Sequence, residues 1–438
     1  MRKPSVLAAA ILAPALLLSA CTAGSLGTQS TAGASGEGVS IRFLIPSGED
    51  SVALANAVVK GFNVANPTIK VNVETRPGGT EGDNLVKTKL ATGDMAEVFQ
   101  YNSGSLLAQI NPDKNLVDVT AEKWTADLDA NFKSTVTVNQ KVYGSPWGTF
   151  SGGGVLYNKK VYDSLGLKVP LTWSEFMANS EKIKAAGKTA VIGSFADTWS
   201  SQLLVLGDFH NVAAVDPQWA EKYTKNQAHF SEEPAIRGFQ HLEAVSKASF
   251  MNKDFNATKY EDALKLLASG EGVQYPMLTF AIPALAAISK DTTTDIGFFG
   301  LPGDDAAKNG ATVWSPSANY IPQTATGAKL DAAKKFVAFW GSAEGCKAQL
   351  DAAPATGPWA VKTCTLPDSV PQIVKDLKTY VDSGKSTPAL EFSSPVKGPS
   401  LEQITIEVGS GFKSALEGAK LYDEDVKKQA QQLGLPGW

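Results

Sequence analysis

Between Ile41 and Tyr101 the chain switches repeatedly between two apolar periods, and this constrains the fold more than any other feature. Ile41-Arg42-Phe43-Leu44-Ile45 reads as a buried strand, and Pro46-Ser47-Gly48-Glu49-Asp50 as the turn after it. From Ser51 to Ala65 the apolar residues Val52, Ala55, Val58, Val59 and Phe62 recur on one face of a helix. Ile69 to Val73 alternates as a strand does, Leu85, Val86 and Leu90 mark a second helix, and Ala96 to Tyr101 supplies a third strand. The order strand–helix–strand–helix–strand predicts an α/β fold, a mainly parallel sheet flanked by helices. Sheets of this kind take ligands beyond the carboxyl ends of their strands. The rule singles out Glu49 and Asp50 after the first strand, Arg76 after the second, and Gln100, Tyr101 and Asn102 at the third.

At 438 residues the chain is too long for one compact core, so two lobes are expected. The pattern resumes at Thr172-Trp173-Ser174-Glu175, whose Thr-x-x-Glu spacing is that of a capping box. The helix it opens should run to about Ala186 and stop at Gly187. Ala190 to Ser194 reads as a strand, with helices at 199–207, 216–224, 232–248 and 259–269. Gly272 to Leu278 and Asp295 to Leu301 read as returning strands, Gly327 to Gly341 as a helix, and the tail from Val370 as helical with Pro/Ser loops. The formal net charge of −4 offers no basic face for nucleic acid, and weakly disfavours phosphate-rich ligands.

The first residues say where the chain goes. Met1-Arg2-Lys3 is basic and Val6 to Leu18 is almost wholly apolar, too short to span a bilayer and suited to a secretory signal. Leu18-Ser19-Ala20-Cys21 resembles the bacterial lipobox, which implies a signal over 1–20, lipidation at Cys21 and attachment to the outer face of the cytoplasmic membrane. Residues 21–39 are rich in Gly, Ser, Thr and Ala and read as a flexible tether. Cys346 and Cys364 are left for an oxidising exterior, as a disulfide or as two separate buried thiols. No Cys-x-x-Cys or His pair accompanies them, so no metal is expected.

Residues 142–160, VYGSPWGTFSGGGVLYNKK, set aromatic rings beside a glycine run. Lys141-Val142-Tyr143-Gly144-Ser145-Pro146 followed by Gly154-Val155-Leu156-Tyr157-Asn158-Lys159 resembles the interlobe crossing of the family 1 extracellular solute-binding proteins of bacterial ABC importers, the class that includes maltose-binding protein. Leu165-Gly166-Leu167, Pro170, Thr172-Trp173 and Glu175-Phe176 are similar to its most recognisable segment, and Gly297 to Gly303 and Ala332 to Phe339 also fit. Gly270 to Met277 is only roughly similar, and the two late cysteines are not part of the pattern. The resemblance implies two α/β lobes that close on a ligand, one from 40–147 with about 309–341, the other from 148–308 with about 342–438. It further implies that Gly152-Gly153-Gly154 lend hinge freedom, that Trp147 and Phe150 sit at the cleft base, and that Tyr275 and Trp359 are near the ligand. It also implies a monomer that delivers its ligand to membrane permease subunits and needs no cofactor.

Of nine tryptophans, Trp173, Trp219 and Trp340 lie in helical patterns and read as packing, while Trp147, Trp199, Trp314 and Trp359 sit in loop chemistry. A flat ring suits the C–H face of a pyranose, and polar groups such as Asp197 and the strand-end residues suit its hydroxyls. An oligosaccharide is therefore the expected ligand; amino acids or peptides, phosphorylated polyols and metal–siderophore complexes are the rivals. His210, His229 and His241 are scattered, against a metal role. Gly187-Lys188-Thr189 and Gly384-Lys385-Ser386 end like phosphate loops, but Lys182 and Thr379 stand where the first glycine belongs. No Gly-x-Ser-x-Gly or His-Glu-x-x-His occurs, and no enzyme is expected, a secreted glycoside hydrolase being the remote alternative.

Overall fold

The structure, a computed structural model, describes residues 38–438. The expected signal, Cys21 and nearly all of the tether lie outside the described residues, and Val39 already belongs to the first strand.

Strands β1 (Val39–Pro46), β2 (Ile69–Arg76) and β3 (Val98–Tyr101) are separated by helices Glu49–Ala65 and Gly79–Thr92. β1 pairs in parallel with both neighbours, as short helical crossovers require. A small hairpin, β4 (Thr137–Val138) with β5 (Lys141–Val142), precedes β6 (Gly144–Pro146). The sheet is completed by β12 (Ala318–Tyr320), which returns from far along the chain to lie antiparallel between β3 and β6. The core on one face is aromatic: Phe43, Phe62, Phe336 and Trp340 meet largely edge to face, with Phe336 centred 5.0 Å from both Phe43 and Phe62.

The second sheet holds β7 (Ser151–Asn158), β8 (Thr189–Val191), β9 (Gly272–Leu278), β10 (Ile296–Gly300), β11 (Ala311–Trp314) and β13 (Ser386–Pro388). β7 is its centre and runs antiparallel to β9 on one side and to β10 and β11 on the other. The remaining pairs, β8 with β9 and β11 with β13, are parallel. The expected capping box is present: Glu175 N donates to Thr172 Oγ1 at 3.3 Å and Thr172 N to Glu175 Oε2 at 3.2 Å. The helix expected from 232 begins only at Ile236, because Pro234 disfavours helical backbone in the residue before it.

The chain crosses between the sheets at 147–150, at 315–317 and again between about 366 and 372. Two stretches lie in the other lobe from the one expected. β11 belongs to the second sheet, so the return to the first lobe falls after Trp314 rather than near 309. Helix Ala343–Ala352 and the segment after it belong to the first lobe. The helix packs on Glu49–Ala65, and Asp129 N donates to Ala360 O at 2.9 Å, as Lys362 N does to Asp127 O at 2.8 Å. Within this segment Cys346 and Cys364 are joined as a disulfide, Cα atoms 6.1 Å apart. No helix of the described residues is long and apolar enough to cross a membrane.

Candidate functional site

A cleft of about 570 Å³ opens where the strand ends of the two lobes face each other. That is the size of a small-ligand site.

From the first lobe the cleft receives Ser47 and Asp50 after β1, Gln100 and Asn102 at the end of β3, Trp147 after β6, and Gln349, Thr356 and Trp359. Asp50 Oδ1 accepts the Ser51 amide at 2.8 Å, and burial pushes its carboxyl above the ordinary range. The Trp147 indole stacks on Trp340, centroids 4.6 Å apart and planes 20° from parallel. Because Trp340 is fully buried, the orientation of Trp147 is set by the core. Beside it Gly148 adopts φ +84° in open space, the left-handed turn that begins the crossing.

The second lobe contributes Asp197, Trp199, Tyr260, Phe280, Trp314, Glu391 and Phe392. Trp199, Tyr260 and Phe280 form one aromatic group, with centroid separations of 5.4, 5.7 and 6.0 Å. Asp197 Oδ2 accepts the Tyr260 amide at 2.7 Å, locking the Trp199 loop to helix Tyr260–Ser269. Trp314 pairs opposite Ser151 at the end of β11, and its ring lies against Gly153.

Eight of the thirteen sequence-selected residues therefore line the cleft: Asp50, Gln100, Asn102, Trp147, Asp197, Trp199, Trp314 and Trp359. Five do not. Glu49 points to solvent at the helix start. Arg76 is only 5 % exposed, and its Nη1 donates to Pro77 O at 3.0 Å and its Nη2 to Gln100 O and Gln100 Oε1, both at 3.3 Å. Tyr101 is fully buried, since side chains alternate faces along a strand and its neighbours Gln100 and Asn102 take the other side. Phe150 packs into the first-lobe core. Tyr275 is buried with its hydroxyl 2.6 Å from Ser194 Oγ.

The sequence reading missed Tyr260, Phe280, Glu391, Phe392, Gln349 and Thr356. Phe280 was within reach of the strand-end rule, because it follows β9 at once; Gln349 and Thr356 gave no such signal. His210 is buried with Nδ1 2.9 Å from Thr387 Oγ1, and burial pushes its pKa down; His241 is stacked on Trp173 at 3.7 Å. No group of three or more metal-ligating side chains occurs among the described residues.

Two α/β lobes, three crossings and an open cleft at the strand ends define a two-lobed ligand receptor. Residues 46–346 match the bacterial extracellular solute-binding proteins, and the chain belongs to that family. It is 26% identical over 308 residues to a multiple sugar-binding protein of Streptococcus mutans, covering 68% of this chain and 70% of that protein. It is 25% identical over 154 residues to the melibiose/raffinose/stachyose-binding protein MelE of Bacillus subtilis, covering 32% of this chain and 35% of that one. In three dimensions it resembles a chitin oligosaccharide binding protein with a TM-score of 0.76 at 17% identity, covering 90% of this chain and all of that one (100%). It also resembles RafE in complex with raffinose, with a TM-score of 0.72 at 20% identity over 90% of this chain and 99% of that one.

Proposed function

We propose that this protein is the substrate-binding subunit of a bacterial ABC importer, that it captures an oligosaccharide between its lobes, and that it hands the sugar to membrane permease subunits. The observation that carries the reading is the cleft lining: Trp147, Trp199, Trp314 and Trp359 beside Asp50, Gln100, Asn102 and Asp197. Aromatic faces suit pyranose rings, and carboxylates and amides in a half-dry cleft are costly unless hydroxyls satisfy them. The names of the relatives point the same way. An amino-acid ligand loses its best anchor, since Arg76 is buried and already hydrogen bonded. The ligand bridges the lobes and leaves unchanged, and its differential affinity for the closed form drives closure.

A thermal-shift panel of raffinose, stachyose, malto-, xylo- and chito-oligosaccharides beside amino acids and glycerol phosphates tests the ligand class. At about a hundred times Kd, a bound sugar should add about 2.7 kcal/mol, a rise of several degrees. Trp314→Ala and Trp199→Ala should each weaken that sugar about tenfold or more, from about 1.5 kcal/mol of aromatic contact. Silence from every sugar, with a response to an amino acid or phosphate, overturns the ligand class. Recovery of the sugar uncleaved after incubation separates binding from hydrolysis.

The lipobox-like Leu18-Ser19-Ala20-Cys21 supports an anchor on the extracellular face of the cytoplasmic membrane. Cys21→Ala should move the protein from the membrane fraction to the medium, and unchanged retention rules the anchor out.

A further inference from the structure

The Cys346–Cys364 disulfide closes a loop that lies along the cleft. Gln349, Pro354, Thr356 and Trp359, all inside this loop, line the cavity. The loop is also a strap touched by both lobes. From the second lobe, Thr279 Oγ1 donates to Thr356 O at 2.7 Å. From the crossing, Thr149 Oγ1 accepts the Thr356 amide at 3.2 Å, and Phe150 N donates to Pro358 O at 2.8 Å. Between Ala352 and Gln372 there is no helix and no strand beyond single bridges, so the path of 353–359 is held by these few bonds and by its ends. One end is fixed by helix Ala343–Ala352, packed through Ala348 at Gly61. The other is pinned at 360–362 to the first lobe and, two residues on, by the disulfide itself.

Cys346 is buried on helix Ala343–Ala352 and Cys364 packs half-buried against the first-lobe core, while the second-lobe clusters contain neither. What the bond restrains is the wall that carries Trp359 and Thr356. A segment without regular structure must otherwise be ordered when ligand binds, and that ordering subtracts from affinity.

We propose that the Cys346–Cys364 disulfide positions the ligand-binding wall: it holds residues 353–359 in place before ligand arrives, so that its removal weakens sugar capture while both lobes remain folded. The affinity half of this inference rests on the cleft being the sugar site.

The test compares the detergent-solubilised full protein with its Cys346→Ala/Cys364→Ala variant. Hydrogen exchange is read first, with no sugar present. Backbone amides of 353–359 should exchange about tenfold faster in the variant, with β7 and β9 unchanged. Calorimetric titration with raffinose and stachyose should then show about fivefold weaker binding with a larger entropic penalty. In a Trp359→Ala background the same double substitution should cost less than about twofold, because the ring it would misplace is gone.

Unchanged exchange over 353–359 overturns the proposal, as does uniform acceleration through both lobes, which would make the bond a general staple. Faster exchange with raffinose and stachyose affinity unaltered overturns it too. If the wall loosens selectively but the disulfide-bonded protein binds no sugar of the thermal-shift panel and responds to an amino acid or phosphate instead, the positioning role stands and the sugar reading falls.

Discussion

Asp50 shows how one residue serves the site at the expense of the fold. It occupies the first turn of helix Glu49–Ala65, where a carboxylate is favoured by the helix dipole, yet it faces the half-dry cleft. Burial is the largest influence on it and raises its pKa above the ordinary 3.8. The folded state therefore holds this proton more tightly than the unfolded chain does. Its effect on stability is neutral below the unfolded pKa and turns unfavourable as pH rises through the folded one. Asp50→Asn should accordingly melt above wild type at pH 7, with the gain disappearing near pH 3.5, and should bind its sugar more weakly. Calorimetric scans at the two pH values check it; a variant that melts lower at pH 7 contradicts the burial argument.

At the scale of elements, the glycine run in β7 does something other than bend. The resemblance to the family implies hinge freedom at Gly152-Gly153-Gly154, but all three lie buried inside the central strand of the second sheet. A Cβ on Gly152 would meet Leu377 at 2.6 Å, one on Gly153 would meet the Trp314 ring at 2.1 Å, and one on Gly154 would meet Phe299 O at 2.3 Å. The run thins the strand so that side chains and neighbouring backbone can lie directly on it. Gly153→Ala should push Trp314 out of place, lowering stability by about 1–3 kcal/mol and weakening sugar binding together. Wild-type binding and melting in that variant would show that the ring has room to shift. The residues 142–160 were legible as special, but whether a glycine bends or makes room depends on what packs against it.

Across the whole molecule, the lobes approach to backbone contact. Gly104, in the first lobe at φ +68°, has Glu391 O of the second lobe 2.4 Å from where its Cβ would stand, and the Phe392 ring at 2.7 Å. Gly104→Ala should hold the lobes apart, so that saturating sugar contracts the molecule less in solution scattering and binds several-fold more weakly. Its own backbone strain, about 1–3 kcal/mol, will lower the melting point as well. Gly93→Ala, at another glycine of positive φ (φ 77°, ψ 8°, a milder strain than Gly104 at ψ −135°), has only Thr324 of its own lobe nearby and serves as the control. It should melt lower yet bind sugar normally. Equal binding losses in the two variants would mean that strain, and not lobe contact, is being measured.

Local sequence decided what local energetics decide. The alternating periods between Ile41 and Tyr101, the Thr172–Glu175 cap and the Gly187 stop all appear in the structure where spacing put them. The strand-end rule likewise brought Asp50, Gln100 and Asn102 to the cleft. Tertiary structure decided which face each of those strand ends turned outward, burying Arg76 and Tyr101 beside residues that line the cleft. It also decided where the chain returned between lobes, through the pairing of β11 with β7 and the seating of helix Ala343–Ala352 on Gly61. Period and capping act within a few residues, whereas register and packing join segments more than a hundred residues apart, and only the assembled core selects among the partners that the sequence leaves open.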